Sequence, residues 1–416
     1  MNVLIIGNGL DLHLKMKTKY TDILNFTKNF KFVFMKGCLP RTILGMDTAD
    51  KIKKKINKAD KIMEMKDRED NEEYAEFRSY MNKLCCNYQN DKKSKDYLDY
   101  VKTLFSLSSF AFYIRGNQWL DYFLECMNQY SKENRWIDFE QEINNVIQKL
   151  MKLKGGEQER SLIGAVKRIN KDEVYFKIDT DQLLYDFKRM LSAIDVYFSI
   201  CLLDGKRVAS NHQEISNIKE NVIKDNIDKI LCFNYQNNFV DEEYFKEGHP
   251  FFTGEGICFV HGKLKFSDFV DRKAEELLAE SEKTRKTISQ LLFNFEQYDE
   301  FAPGIVLGIE NEAIDNTLYS CYLKKNQIQK IGCDDSYKSW PEKDIPYKIY
   351  VLGHSLGIMD IEELSKLFKV KPDEIIMIYH DSKANAESKI SNFINEMDKN
   401  NIDNLDDLNI SYRNLY

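Results

Sequence analysis

The chain has 416 residues, 43% of them apolar, so it is long enough for one large domain carrying an insertion or for two domains, and too apolar to be disordered. Its 60 basic and 67 acidic residues leave a net charge of −7 and are mixed along the sequence, so no basic face points to a nucleic-acid partner. The apolar run Val3 to Ile6 is too short for a secretory leader. The longest uncharged apolar stretch, Leu104 to Ile114, falls well short of the roughly 20 residues of a membrane span.

The first element is read from "NVLIIGNGLDL". An apolar run of strand length stops at Gly7-Asn8-Gly9 and gives way to a helical pattern from about Asp11 to Phe30. Glycines there let the backbone turn tightly and approach a ligand phosphate favoured by a helix amino terminus. The third glycine of the dinucleotide fingerprint is absent, its place taken by Leu12. Asp11 fits a helix cap or a ribose hydroxyl better than a pyrophosphate, which it would repel. A tight turn with Asp11 as cap is an equal reading of the same residues.

About 220 residues then read almost entirely as helix, including "ADKIKKKINKADKIMEMKDREDNEEYAEFRSYM" and "DFEQEINNVIQKLMKL". A strand-to-strand crossover needs about a dozen residues or more, so this stretch predicts an inserted helical subdomain over 36–224. The remaining strands are expected at Ile230 to Phe233, Ile257 to Val260, Ile305 to Leu307, Ile349 to Leu352 and Ile375 to Tyr379. Each is apolar throughout, as strands of a parallel sheet covered on both faces are. A helical stretch from Asp268 to Gln297 is expected as an insert or lid within 268–300, and "DSKANAESKISNFINEM" as a closing amphipathic helix. The acidic end, "NIDNLDDLNISYRNLY", is expected to dock or to fray. The predicted fold is therefore α/β, a mostly parallel Rossmann-like sheet of about six strands built from 1–35 and 225–416, with the large helical insertion between its first and second strands.

Ligands of open parallel sheets bind beyond the carboxyl ends of the strands, so those ends hold the candidate residues. After the second run come Asn234, Tyr235 and Gln236, whose amides can orient a water or a ribose, or simply make an Asn-rich turn. After the third comes His261-Gly262, a histidine placed to act as general base near neutral pH. After the run at Ile349 to Leu352 come Gly353, His354, Ser355 and then Asp360. Small residues there admit a ligand against the backbone, but the flanks do not form the Gly-x-Ser-x-Gly elbow of a serine hydrolase. Taken together the strand ends predict a nucleotide pocket. Nine cysteines lack C-x-x-C spacing and read as reduced thiols of a cytoplasmic protein, and no metal-ligand spacing is found.

The segments "LIIGNGLDLHLKMKTKYTDIL", "ILCFNYQNNF", "FVHGKL", "IYVLGHSLGIMD" and "IIMIYHDSKANAESKISNFI" resemble, in order, those of the AbiH family of bacterial abortive-infection proteins, which restrict phage. "RWIDFEQEI" resembles a further family segment and reads equally as the start of an amphipathic helix. More distantly, the Gly-rich turn, the Asn turn, the His-Gly pair and the Gly-x-Ser turn resemble the layout of sirtuin-like NAD-binding domains. That resemblance implies a phosphate turn at Gly7 and Gly9, Asn234 by the nicotinamide ribose, His261 as base, and Gly353 and Ser355 on another part of the dinucleotide. The four-cysteine zinc of sirtuin deacylases has no counterpart, and Gln236 stands where their pattern has aspartate, which disfavours deacylation and leaves the choice of nucleotide open.

The resulting expectation is a phage-defence hydrolase that cleaves NAD or a related nucleotide at its N-glycosidic bond, with no permanently bound cofactor. The partners it allows are a nucleotide ligand, a phage-derived trigger and a second copy of the chain. Two readings compete with it: a non-catalytic nucleotide-binding sensor of infection, and a metal-dependent nuclease using Asp11, Asp138, Glu140 and Asp360.

Overall fold

Six strands form one open, wholly parallel sheet: β1 (Asn2–Ile6), β2 (Lys229–Cys232), β3 (Ile257–Phe259), β4 (Lys348–Leu352), β5 (Glu374–Tyr379) and β6 (Ile410–Asn414). Their spatial order is β3-β2-β1-β4-β5-β6, the order of a doubly wound, Rossmann-like fold whose connections reverse direction between β1 and β4. The computed structural model describes the chain apart from residues 15, 17, 36–48, 64–73, 76, 80, 82–94, 133–137, 153–156, 159–161, 164–165, 167–175, 178, 203–213, 236–255, 310–311, 316, 333–335, 342–344, 358–359, 400–407 and 416.

The chain divides into two compact units, Met1–Thr18 with Asp204–Lys263 and Gly304–Tyr416, and Lys19–Leu203 with Leu264–Pro303. The first unit holds the sheet. Alternate residues of each strand feed opposite faces: Val3, Ile5, Leu231, Val351 and Met377 join one apolar cluster, and Leu4, Ile6, Ile230, Leu352 and Ile376 join the other. The continuous apolar runs thus have their physical cause in a sheet buried on both sides. Its helices include α1 (Asn8–His13), and the helices of the second unit begin with α2 (Tyr20–Phe30), so the predicted helix from Asp11 to Phe30 is two helices.

In the second unit α2 is followed by α3 (Ala49–Met63), α4 (Lys95–Ile114), α5 (Gln118–Lys132), α6 (Phe139–Met151), α7 (Thr180–Leu202) and α8 (Phe266–Thr284). Its core is aromatic, with Phe26 packed on Phe110 and Phe123 stacked on Phe139 at 4.0 Å. Asp138 caps α6 by accepting the Gln141 N–H at 3.0 Å. The buried Asp195 carboxylate of α7 accepts the Phe266 N–H at 3.2 Å and so satisfies the start of α8. The stretch 264–303 groups with this helical unit, and the helical pattern read through Gln297 breaks at Thr284, where Arg285 takes a left-handed conformation (φ 56°), and resumes in two single turns, Ile288–Leu291 and Glu296–Asp299. Among the described residues no helix is long and apolar enough to cross a membrane.

Two strand expectations are corrected. Ile305 to Leu307 is buried but is not a strand of the sheet. It forms an antiparallel bridge to Gly262, and Gln327 closes the Leu307 backbone by accepting its N–H at 3.1 Å and donating to its carbonyl at 3.2 Å. An apolar run reports burial and leaves the pairing partner open. The sixth strand is instead β6, from the carboxyl-terminal segment. It lies at a sheet edge with its residues only half buried, so it lacks the apolar signature. Arg413 secures it by donating to the carbonyls of Val222 and Ile223 at 2.8 and 2.6 Å.

The sheet unit also holds α9 (Lys324–Ile331) before β4, and α10 (Ile361–Leu367) and α11 (Lys383–Lys399) after it. At the switch point the turn after β1 and the turn after β4 touch through their backbones. Gly7 donates to Leu352 O at 3.0 Å and Gly9 to Gly353 O at 2.7 Å. Gly353 has φ 68°, and a Cβ on it would stand 2.2 Å from Leu10 N. Gly353→Ala therefore combines left-handed strain with overpacking and is expected to cost about 2–5 kcal/mol. Gly116→Ala, at φ 56° with open space around it, carries the strain alone and should cost about 1–2 kcal/mol. Urea denaturation of both variants checks this, and equal losses would remove the backbone contact as the reason for Gly353.

Candidate active site

The carboxyl ends of β1, β2, β3 and β4 carry Gly7, Phe233-Asn234, His261 and Gly353-His354, all within the sheet unit. Backbone bonds continue the ladder past the strands, Phe233 N to Ile6 O at 2.9 Å and Val260 N to Cys232 O at 2.9 Å, so these side chains start from rigid positions. His261 is held by its neighbour segment: Val306 donates to His261 O at 2.7 Å and Lys263 to Gly304 O at 2.9 Å. That is the structural use of the buried Ile305 run and of the bridge at Gly262.

Asp360 is the hub. Its Oδ1 lies 3.1 Å from His261 Nε2 and 3.1 Å from Lys324 Nζ, and its Oδ2 lies 3.4 Å from His354 Nε2. Lys324 Nζ is also 3.4 Å from His261 Nε2. Phe233 walls the cluster, with its ring 4.2 Å from the His354 ring and edge-on to His261 at 5.4 Å. Asp360 stands just before α10 without capping it, so its carboxylate is committed to this cluster. Burial alone would raise the Asp360 carboxyl. The hydrogen bonds of His261 and His354, and the charge of Lys324, outweigh it and hold the group well below the usual carboxylate range.

His354 is fixed from its other side. Its Nδ1 accepts the Leu356 N–H at 2.9 Å, and Leu356 adopts φ 54° to deliver that amide. A non-glycine residue there costs about 1–2 kcal/mol, strain that the buried Leu356 side chain offsets in the sheet core. Lys324 begins α9. Its N–H donates to Ile309 O at 3.1 Å, and its side chain is 1% exposed. His354 is 4% exposed, whereas His261 and Asp360 are 14% and 13% exposed, so the solvent reaches the cluster along the His261–Asp360 side.

Of the residues expected at the site, the structure brings His261, His354 and Asp360 into direct contact. Asn234 is buried, and its Nδ2 donates to Gly7 O at 3.2 Å while its Oδ1 is left with no hydrogen-bond partner. Tyr235 donates its hydroxyl to Val306 O at 3.2 Å. Asn8 is exposed and accepts the Thr18 hydroxyl at 2.6 Å, Asp11 is buried in α1, and Ser355 is exposed. Gln236 lies outside the described residues. The close approach anticipated for Gly7, Gly9 and Gly353 is made to the chain's own backbone, and the Gly7 and Gly9 amides are engaged there.

Lys324 is the member that sequence reasoning missed. In "CYLKKNQIQK" nothing separates it from Lys325, which is exposed and pairs with Asp315 at 2.6 Å. The only trace is that Lys324 and Gln327, three residues apart on one face of α9, are both buried, and both are polar and so carry no apolar period. Of the acids considered for a metal-dependent reaction, Asp138 and Glu140 lie in the helical unit and Asp11 and Asp360 in the sheet unit. Among the described residues no group of His, Cys, Asp and Glu is arranged to hold a metal ion.

A family model described as bacteriophage abortive infection AbiH matches residues 3–381 of the chain. No curated protein and no solved structure matches it.

The depressed carboxyl of Asp360 has a stated sign. The group contributes stability in full above the ordinary carboxylate value of about 3.9, and the contribution is lost as pH falls towards the lower folded value. Asp360→Asn should lose that acid-dependent component and should also be about 3–5 kcal/mol less stable at neutral pH, because it removes the charge that faces the buried Lys324 ammonium at 3.1 Å. Urea denaturation of both proteins at neutral pH and at several values below about pH 5 checks this. Parallel acid profiles and equal neutral stability would show that the cluster does not depend on the Asp360 charge.

Proposed function

The chain belongs to the bacteriophage abortive infection AbiH family, and on that premise we propose that it is a cytoplasmic phage-defence enzyme that hydrolyses the N-glycosidic bond of NAD or of a related nucleotide. The observation that carries the reading is the His261–Asp360 pair at the carboxyl edge of a sheet in doubly wound order, the place where such sheets bind nucleotides. Asn234 supports it: a buried amide oxygen without a hydrogen-bond partner beside this edge suits a donor such as a ribose hydroxyl.

Departure of the base from the sugar leaves positive charge on the ribose, and a water molecule must reach the same carbon. His261 accepts the proton of that water as its oxygen bonds to the sugar carbon, and the electrons of the broken C–N bond leave with the base. Asp360 holds the imidazole and stabilises its positive charge as the proton arrives. Asn234 Oδ1 accepts a sugar hydroxyl and so orients the ring. No permanently bound cofactor takes part in this scheme. A nucleotide is the substrate, and the sirtuin-like order of the strand-end groups makes NAD the first to test.

General-base catalysis contributes roughly 100-fold to 10,000-fold, so His261→Ala should reduce turnover by about that factor with the fold retained. NAD measured before and during phage infection, in bacteria carrying matched amounts of wild type or His261→Ala, checks the proposal. A collapse of NAD confined to infected wild-type cells is expected. Steady NAD while infection is still blocked by both proteins would sink the hydrolase reading and favour a nucleotide-binding sensor.

A further inference from the structure

The cluster specifies where its ring protons sit. His354 Nδ1 accepts the Leu356 N–H at 2.9 Å, so the single proton of the neutral ring is on Nε2, facing Asp360 Oδ2. His261 has its Nε2 3.1 Å from Asp360 Oδ1 and 3.4 Å from Lys324 Nζ, while its Nδ1 makes no hydrogen bond among the described residues. Two arrangements compete: Nε2–H donating to the carboxylate, or an Nε2 lone pair accepting from the ammonium. The carboxylate contact is the shorter, 3.1 against 3.4 Å, and it decides between them.

We propose that His261 carries its ring proton on Nε2, that Nδ1 is the atom that takes up the proton in the reaction, and that Lys324 is the positioning residue that holds Asp360 Oδ1 where it accepts from His261 Nε2. This rests on the reading of His261 as general base. Exposure agrees with it, because Lys324 and His354 are 1% and 4% exposed and His261 alone of the cluster's three nitrogen side chains is partly open. Without the ammonium, His261 and His354 would face an unmatched carboxylate between them, with Phe233 excluding water on one side.

Long-range proton–nitrogen spectra of protein labelled with ¹⁵N in its six histidines test the assignment, with His261→Gln and His354→Gln identifying the signals. In their neutral form both rings should show the Nε2–H pattern. A neutral Nδ1–H pattern for His261 overturns the proposal. In Lys324→Met the single Nε2–H pattern of His261 should give way to a mixture of the two ring tautomers, and an unchanged pattern overturns the role of Lys324. Should that variant fail to fold, Lys324→Met/Asp360→Leu removes both charges and the acceptor. Loss of the single Nε2–H pattern in it supports the assignment, and its persistence overturns it. Nitrogen signals do not depend on turnover, so a chain with the expected patterns that leaves NAD untouched refutes the hydrolase reading alone.

Discussion

One carboxylate organises the sheet unit's candidate site. Asp360 meets two imidazoles and one buried ammonium, and each of those partners comes from a different segment of the chain: His261 from the end of β3, Lys324 from the start of α9 and His354 from the turn after β4. Taking a carboxylate and an ammonium out of water costs several kcal/mol each, and their attraction offsets this only when the geometry is good and the remaining lone pairs are filled. Here they are filled, because both carboxylate oxygens have partners.

The rest of the unit supplies the rigidity that such a cluster needs. His261 is clamped through its carbonyl by Val306, whose segment is closed in turn by the Gln327 side chain of the helix that carries Lys324. The His354 ring is clamped by the strained Leu356 amide, and the turn that bears His354 rests on the turn after β1 through glycines. Strain and glycine occur together where the ring must be aimed, as they do where geometry is maintained at some cost to stability.

Much of this was legible in the residues and some of it was not, for physical reasons. The strands β1 to β5 announce themselves because a parallel strand covered on both faces has to be apolar at every position. The edge strand β6 is exempt from that demand and so is silent, while Ile305 to Leu307 obeys it without belonging to the sheet. His261, His354 and Asp360 could be found because a strand end in such a sheet is a place, and a polar residue there stands out. Lys324 could not, because it joins the site from a helix start after a loop, and burial of a lysine depends on partners that only the folded chain assembles. The glycines were readable as points of close approach, but not the identity of what approaches.

The order of the strands sets a timetable for making the protein. β1 lies in the middle of the sheet, yet the Asn2 amide meets Asp228, 226 residues later, and the terminal amine meets Pro346 O, 345 residues later. A ribosome adding about 5–20 residues per second emits the central strand roughly 10–45 s before its first neighbour exists. During that interval the apolar segment Val3 to Ile6 has no sheet to join, so it is a natural client for a holding chaperone. The four members of the charged cluster come together only after Asp360 has left the ribosome, so the cluster is among the last parts of the sheet unit to form.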